Sequence, residues 1–230
     1  MIKKTRTLIA AAVLSAALPA AAQQQPDTGW YFGLGAGQAK TGDDFVSNRE
    51  NSVQNASNFR TSFDDKDTAW KAFGGYRFGP NLALEGSYFD FGSISAQTAF
   101  DNVGGPGGTI ATNRDVKGFA IDLVVAAPLG ERFSVFGRVG AYRAQADATI
   151  VISGDAVFSD GEGGNSRSKS SHNSNWKAGV GFDWKFMPNA ALRLEYERYF
   201  EVGNAFAIGT RNGTGEADVD VVTIGAMYRF

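Results

Sequence analysis

From Gly29 onward, apolar and polar positions alternate with a period of two in eight separate segments: 29–39, 67–78, 82–91, 116–127, 133–146, 175–186, 191–200 and 218–230. The pattern is plainest in the sixth, where Trp176, Ala178, Val180, Phe182, Trp184 and Phe186 interleave with Lys177, Gly179, Gly181, Asp183 and Lys185. A period of two predicts strands, because successive side chains of an extended chain point to opposite faces. Each segment has roughly 10 to 14 residues, the length of a tilted strand that crosses a bilayer. No stretch after Gln23 approaches the roughly 20 apolar residues that a spanning helix needs. The connections alternate as well. Short ones at 79–81, 128–131 and 187–189 take turns with long polar ones at 40–66, 92–115, 147–173 and 201–217. This rhythm belongs to an up-and-down barrel whose two rims face different compartments. The expectation is an all-β fold: an eight-stranded antiparallel up-and-down transmembrane β-barrel. Both termini sit at the short-loop rim, and the long loops are exposed and mobile.

The two strand faces differ in chemistry, and that difference selects the solvent. One face carries Trp, Phe, Tyr and Leu; the other mixes glycine with Lys71, Arg77, Glu85, Asp122, Arg138, Lys177, Asp183, Lys185, Arg193, Glu195 and Arg229. So many unlike charges fit inside one small barrel only if they pair, since an unpaired buried charge is strongly unfavourable. The apolar face is then outside, against lipid, where the closed ring leaves no backbone group unsatisfied. Trp30, Tyr76, Phe78, Tyr88, Tyr228 and Phe230, near strand ends, are expected in interfacial girdles.

Composition removes several classes. With Lys+Arg 22 against Asp+Glu 24 there is no basic excess of the kind a nucleic-acid binder shows. The absence of cysteine excludes disulfides, thiolate metal sites and a lipidated junction. Residues 1–22 start basic (Lys3, Lys4, Arg6), continue as an apolar run from Leu8 to Leu18 and end in Ala20-Ala21-Ala22. That is the layout of a cleavable export signal, so the expected organisation is a leader at 1–22 and a barrel domain at 23–230.

The segments FGGYRFGPNLALEGSYFDFG (73–92), GFAIDLVVAAPLGERFSVFGRVGAY (118–142), AGVGFDWKF (178–186), LRLEYERY (192–199) and the terminal GAMYRF (225–230) resemble the OmpA-like transmembrane domain family of Gram-negative outer membranes. The resemblance spans nearly all of the chain after the leader. It implies residence in the outer membrane with periplasmic termini, no enzymatic activity and no cofactor. The partners it implies are outer-membrane lipid and lipopolysaccharide, the barrel-assembly machinery, and an extracellular ligand met through the long loops. It also implies that Glu85 and Arg193 face each other in the lumen as an ion-pair gate, with Arg138, Asp183 and Glu195 as neighbours. Tyr228 and Phe230 match the family's C-terminal assembly signal. The lysine that the family carries on its fourth strand has no counterpart, Val124 standing near that place. The chain ends at the barrel, so cell-wall anchoring is not expected.

Three functional readings follow. The first is a structural and surface-interaction barrel with a charge-plugged lumen, since an eight-stranded interior is only wide enough for side chains to fill it. The second is a small-solute porin in which Glu85 exchanges partners. The third is a lipid A-modifying enzyme using His172 and Ser174, which share a face with Trp176 if the sixth strand starts early; no orienting acid is evident, and catalytic groups are defined by geometry, not by proximity in sequence. Gly33-Leu34-Gly35-Ala36-Gly37 lacks the spacing of a nucleotide loop. Asp155, Asp160 and Glu162, like Asp64, Asp65 and Asp67, do not follow the calcium-loop pattern and are expected to be solvated, so no metal site is expected. Arg49, Arg60, Arg167 and Lys169 are expected near anionic head groups.

Overall fold

The computed structural model describes residues 28–42, 56–102, 105–154, 164–204 and 215–230. The expected leader at 1–22, Arg49, and the acids Asp155, Asp160 and Glu162 lie outside the described residues. The elements are β1 (Thr28–Thr41), β2 (Ala56–Asp64), β3 (Lys66–Phe78), β4 (Leu82–Asn102), β5 (Gly105–Leu129), β6 (Phe133–Gly154), β7 (Ser166–Lys185), β8 (Ala190–Asn204) and β9 (Gly215–Arg229). All neighbours are antiparallel. The ring runs β4-β3-β1-β9-β8-β7-β6-β5 and closes through β4 and β5, so its wall has eight members.

The wall keeps the eight strands expected, and the first correction is an addition to it, a ninth strand outside the ring. β2 pairs with the outer part of β4, on the same edge that β3 occupies nearer the membrane. β2 and β3 are therefore one long run broken at Asp65, whose carbonyl accepts the Thr41 amide at 2.8 Å. Opposite this break, β4 shifts register between Asp90 and Ser93. Gly92 makes the step at φ 69°, a conformation that glycine adopts without strain. Asp67 braces the bulge by accepting the Ser93 amide at 2.5 Å.

The long connections are a second correction. Most of 92–115 and much of 147–173 is paired strand, not loop: β4 and β5 pair from Leu82↔Val125 to Asn102↔Gly105, with register shifts at Asp90/Ser93 and Phe100/Asn102, and β6 and β7 pair out to Val151↔Ser166. The lipid-facing apolar pattern stops where lipid stops, whereas ladder hydrogen bonding continues in water with the outward face now polar and Ile94, Ala96, Phe100, Ala148 and Ile152 buried inside.

Outside, the expected apolar face is exposed all round the ring: Leu34, Leu84, Ile121, Val139, Val180, Leu194 and Ile224 are among its members. A contiguous apolar surface of this size is incompatible with water and marks contact with lipid. Aromatic contacts line both edges of this belt. At the short-turn rim they include Trp30–Tyr76 at 5.2 Å, Tyr76–Phe78 at 5.2 Å and Phe32–Phe230 at 5.7 Å. At the other edge are Tyr88–Phe119 at 5.0 Å, Trp70–Tyr88 at 5.4 Å and Trp176–Phe200 at 3.8 Å. Tyr88 thus belongs to the opposite girdle from Tyr76. The ten steps from Trp176 to Phe186, at about 3.3 Å rise and about 40° tilt, put the girdles about 25 Å apart, the height of a hydrocarbon band.

Inside, two apolar layers separate three levels. Tyr31, Phe73, Ala83, Val124, Ala126, Phe136, Ala191 and Met227 pack near the short-turn rim. Phe89, Phe91, Tyr142 and Tyr199 form an aromatic layer farther out, with Phe89–Phe91 centroids at 4.5 Å and Phe89–Tyr199 at 4.9 Å. The charged side chains sit between and around these layers.

Candidate functional site

All eight strands of the ring send a polar group into the lumen: Tyr31 from β1, Lys71 and Arg77 from β3, Glu85 from β4, Asp122 from β5, Arg138 from β6, Lys177 and Asp183 from β7, Arg193, Glu195 and Glu197 from β8, and Thr223 from β9. Period-two alternation aims them inward, and glycines on the same face leave them room. A Cβ at Gly140 would collide with the Asp122 carboxylate, and one at Gly181 with the Phe136 ring.

At the level nearest the short-turn rim, Arg193 grips Asp183 with two parallel bonds, Nε to Oδ1 at 2.8 Å and Nη2 to Oδ2 at 3.1 Å. This fork geometry is the strongest form of a guanidinium–carboxylate bond. Arg193 Nη1 also donates to Glu85 Oε2 at 2.8 Å, and its guanidinium lies 4.5 Å from the Phe136 centroid and 5.0 Å from that of Phe73. Tyr31 donates its hydroxyl to the same Glu85 oxygen at 2.9 Å. Arg77 approaches Asp183 at 4.0 Å.

Arg138 is the hub. Its Nη1 donates to Glu85 Oε1 at 2.9 Å and stands 3.4 Å from Glu197 and 3.5 Å from Asp122, while Nη2 lies 3.0 Å from Glu195. Farther out, Lys71 bridges Glu195 and Glu197, the latter at 2.8 Å. Lys177 bridges Glu197 and Asp122, the latter at 2.9 Å, and donates to the Tyr199 hydroxyl at 3.2 Å. Five bases (Lys71, Arg77, Arg138, Lys177, Arg193) thus meet five acids (Glu85, Asp122, Asp183, Glu195, Glu197), all buried; a sixth buried base, Arg114 of β5, stands outside this network and donates to the Val202 carbonyl at 2.8 Å. The balance matters: each charge has lost its water, and only neutral pairing offsets that loss.

Glu85, Arg193, Arg138, Asp183 and Glu195 all lie in this one network. Of the other luminal residues expected from the sequence, Lys185 and Arg229 are only half-buried near the rim. The alternation puts Glu197 on the face of Arg193 and Glu195, but the luminal residues expected from the sequence do not include it, nor Arg114, Tyr31 or Tyr199. The signal was present: Glu197 is two residues beyond Glu195, and Tyr31 falls between outward Trp30 and Phe32. Val124 is buried in the apolar layer, and Arg138 supplies the second cation that Glu85 meets.

The remaining candidates have other surroundings. His172 and Ser174 face outward on β7, opposite Gln145 and Arg143, and no hydrogen bond joins them to each other or to a carboxylate among the described residues. Asp65 pairs with Lys40 at 3.5 Å. Asp67 serves the bulge. Outside the bilayer, Arg60 and Asn58 both donate to Asp101 at 3.1 Å, tying β2 to β4. The Asn58 amide, and after it the Arg60 guanidinium, hold the Asp101 carboxyl below its usual range.

A closed antiparallel ring with an apolar belt between two aromatic girdles, and with its charges inside, is an outer-membrane β-barrel. Residues 24–230 match the profile of the OmpA-like transmembrane domain, and the chain belongs to that family. Outer membrane protein A of Shigella flexneri is 26% identical over 227 residues, which cover 98% of this chain and 56% of that protein. The chain thus spans about half the length of the curated relatives it matches. Among solved structures, the outer membrane protein OprG from Pseudomonas aeruginosa is similar with a TM-score of 0.50 and 16% identity, covering 88% of this chain and 97% of that one. Neisserial surface protein A gives a TM-score of 0.46 at 16% identity, covering 87% and 97%.

Proposed function

We propose that this barrel is a non-enzymatic structural component of the outer membrane, its lumen plugged by its own charges and its outward strands offering an interaction surface. The carrying observation is the network of ten buried charges that pair with one another, five of each sign, covered by the layer of Phe89, Phe91, Tyr142 and Tyr199. A solute would have to separate fully desolvated ion pairs and displace aromatic rings to pass. The packing of Tyr228 and Phe230 on Phe32 supports their role as an assembly signal on the outer face of β9. Outer-leaflet lipopolysaccharide and an extracellular ligand are the partners this role requires.

A second reading, a small-solute channel gated by Glu85, is favoured by one observation: the two oxygens of Glu85 meet two different guanidiniums, those of Arg138 and Arg193. An exchange between them is short in distance. Planar-bilayer recording of the refolded protein separates the readings, with heat-modifiable gel migration to prove folding. A silent folded barrel, silent also as Glu85→Ala, supports the plug. Steady channels that open further in Glu85→Ala and Arg193→Ala would make it a gated porin.

A further inference from the structure

The outward face just beyond the outer girdle is not uniform around the ring. On β8 and β9 the basic group is already engaged: Arg198 donates to both oxygens of Asp220 at 2.6 Å, and Tyr196 adds a bond of 2.6 Å. On β1, Lys40 has Asp65. The sector of β5, β6 and β7 differs. Arg143 is exposed on β6, directly across from Phe119 on β5 and Ser174 on β7. Its neighbour Gln145 faces Lys117 on one side and His172 on the other, both exposed. Lys117 and His172 are thus diagonal to Arg143, about 7–8 Å away along the same face. Neither Lys117 nor Arg143 has a carboxylate within ion-pair distance among the described residues.

The nearby acids have other partners. Asp147 accepts from Gln145 at 2.9 and 3.1 Å, and its carboxyl is held below the usual range chiefly by Ser170, then by Gln145 and the field of Lys117. Asp90, across from Lys117, accepts the Gly92 amide at 2.9 Å. Asp115 is opposite Asp147, one step farther from the membrane.

Beside Arg143 stands Phe119, and toward the membrane the apolar wall continues through Trp176, Ile121 and Val139. A basic group at the girdle with an acyl-chain surface beneath it matches the two ends of a phosphorylated lipid. A free anion would need only the first. We propose that Arg143, with Lys117 and His172, holds the phosphate of a lipid A-type glycolipid in the outward leaflet, its acyl chains lying over Phe119 and Trp176. This deepens the lipopolysaccharide partnership above and rests on that reading of the barrel. Arg143 supplies the forked donor for phosphate oxygens, Lys117 a second charge, and Ser174 a neutral donor beside them. Attraction of a basic side chain to an anionic lipid surface contributes roughly fivefold in affinity per charge.

The test titrates the refolded full chain in zwitterionic detergent with diphosphoryl lipid A, following Trp fluorescence and native mass spectrometry. Arg143→Gln with Lys117→Gln should weaken binding tenfold or more, Arg143→Lys should retain part of it, and Lys40→Gln should leave it unchanged. Dephosphorylated lipid A should bind as weakly to the parent protein as the phosphorylated form does to the double variant. Heat-modifiable migration certifies each variant's fold, and the single variants serve if the double one fails. Undiminished binding by the double variant overturns the proposal, as does equal binding of the dephosphorylated lipid or full competition by millimolar inorganic phosphate. Labelling of Ser153→Cys on intact cells tests the barrel's orientation separately. Access from outside supports the leaflet assignment, and access only from the periplasm overturns it along with the reading beneath.

Discussion

Replacing Glu85 with glutamine removes one of five negative charges from a network that keeps five positive ones. The side-chain volume is unchanged, so no cavity contributes. The carboxylate accepts from Arg193 at 2.8 Å and from Arg138 and Tyr31 at 2.9 Å. The amide offers one oxygen where there were two and turns an NH2 group toward a guanidinium. Loss of one partner from a buried ion pair costs about 3–5 kcal/mol. Arg138 keeps Glu195, Glu197 and Asp122, and Arg193 keeps both bonds to Asp183, which selects the lower end, about 3 kcal/mol. With a urea dependence of about 2 kcal/mol per molar, the unfolding midpoint in lipid vesicles should fall by about 1.5 M. Trp fluorescence reports the transition, and heat-modifiable migration confirms that the starting state is folded. Glu85→Gln combined with Arg193→Met restores neutrality, so the pair should cost at least about 1 kcal/mol less than the sum of the two single changes. A midpoint shift below about 0.3 M for Glu85→Gln would mean that water already solvates these charges, and the plug argument would fall with it.

Phe89→Ala opens the aromatic layer where Phe91, Tyr142 and Tyr199 pack. It should cost about 3–5 kcal/mol in the same urea titration and admit measurable ion leak in planar bilayers. Leu123→Arg puts a cation in the lipid-facing belt and should cost about 2–4 kcal/mol in vesicles, whereas Thr149→Arg on the outward extension should cost less than about 0.5 kcal/mol. Asp101 has its carboxyl depressed in the folded state, so the clamp to Asn58 and Arg60 contributes at neutral pH. It is lost only as pH falls through that depressed value. Hydrogen-exchange protection of β2 should therefore hold at pH 5 and collapse under stronger acid, and Asp101→Asn should remove that pH dependence.

The barrel was legible in the sequence because lipid imposes a one-sided rule. Every outward residue between the girdles must be apolar, so Trp176 to Phe186 declares its strand without help from tertiary structure. Beyond the girdles the rule lapses. Ser166 to Asn175 is polar on both faces and reads as loop, although it continues the β6–β7 ladder. β2 escaped notice for the same reason, and its break from β3 depends on the Gly92 bulge of a different strand. The luminal set was legible as a list, since alternation assigns faces. Which acid meets which base was not. That depends on stagger around the ring, by which Arg138 of β6 reaches Glu85 of β4 across Asp122 of β5.

The seam between β1 and β9 joins residues at opposite ends of the described chain: Tyr31 pairs with Arg229, and the Phe230 amide donates to the Trp30 carbonyl at 3.0 Å. These partners are about two hundred residues apart, so closing the seam carries the largest loop-entropy barrier of any contact in the ring. Hairpins such as β5–β6 can zip within microseconds, yet none can enter hydrocarbon alone, because its outer edges would carry unsatisfied amides and carbonyls. A helical membrane protein inserts segment by segment; here insertion and circularisation are a single event that waits for the whole polypeptide. During that wait the apolar belt faces water and both seam edges are open to any other extended chain. The hazard in this molecule's life is therefore one of timing: its losses to aggregation are set by how long the seam stays open, far more than by how stable the ring is once shut.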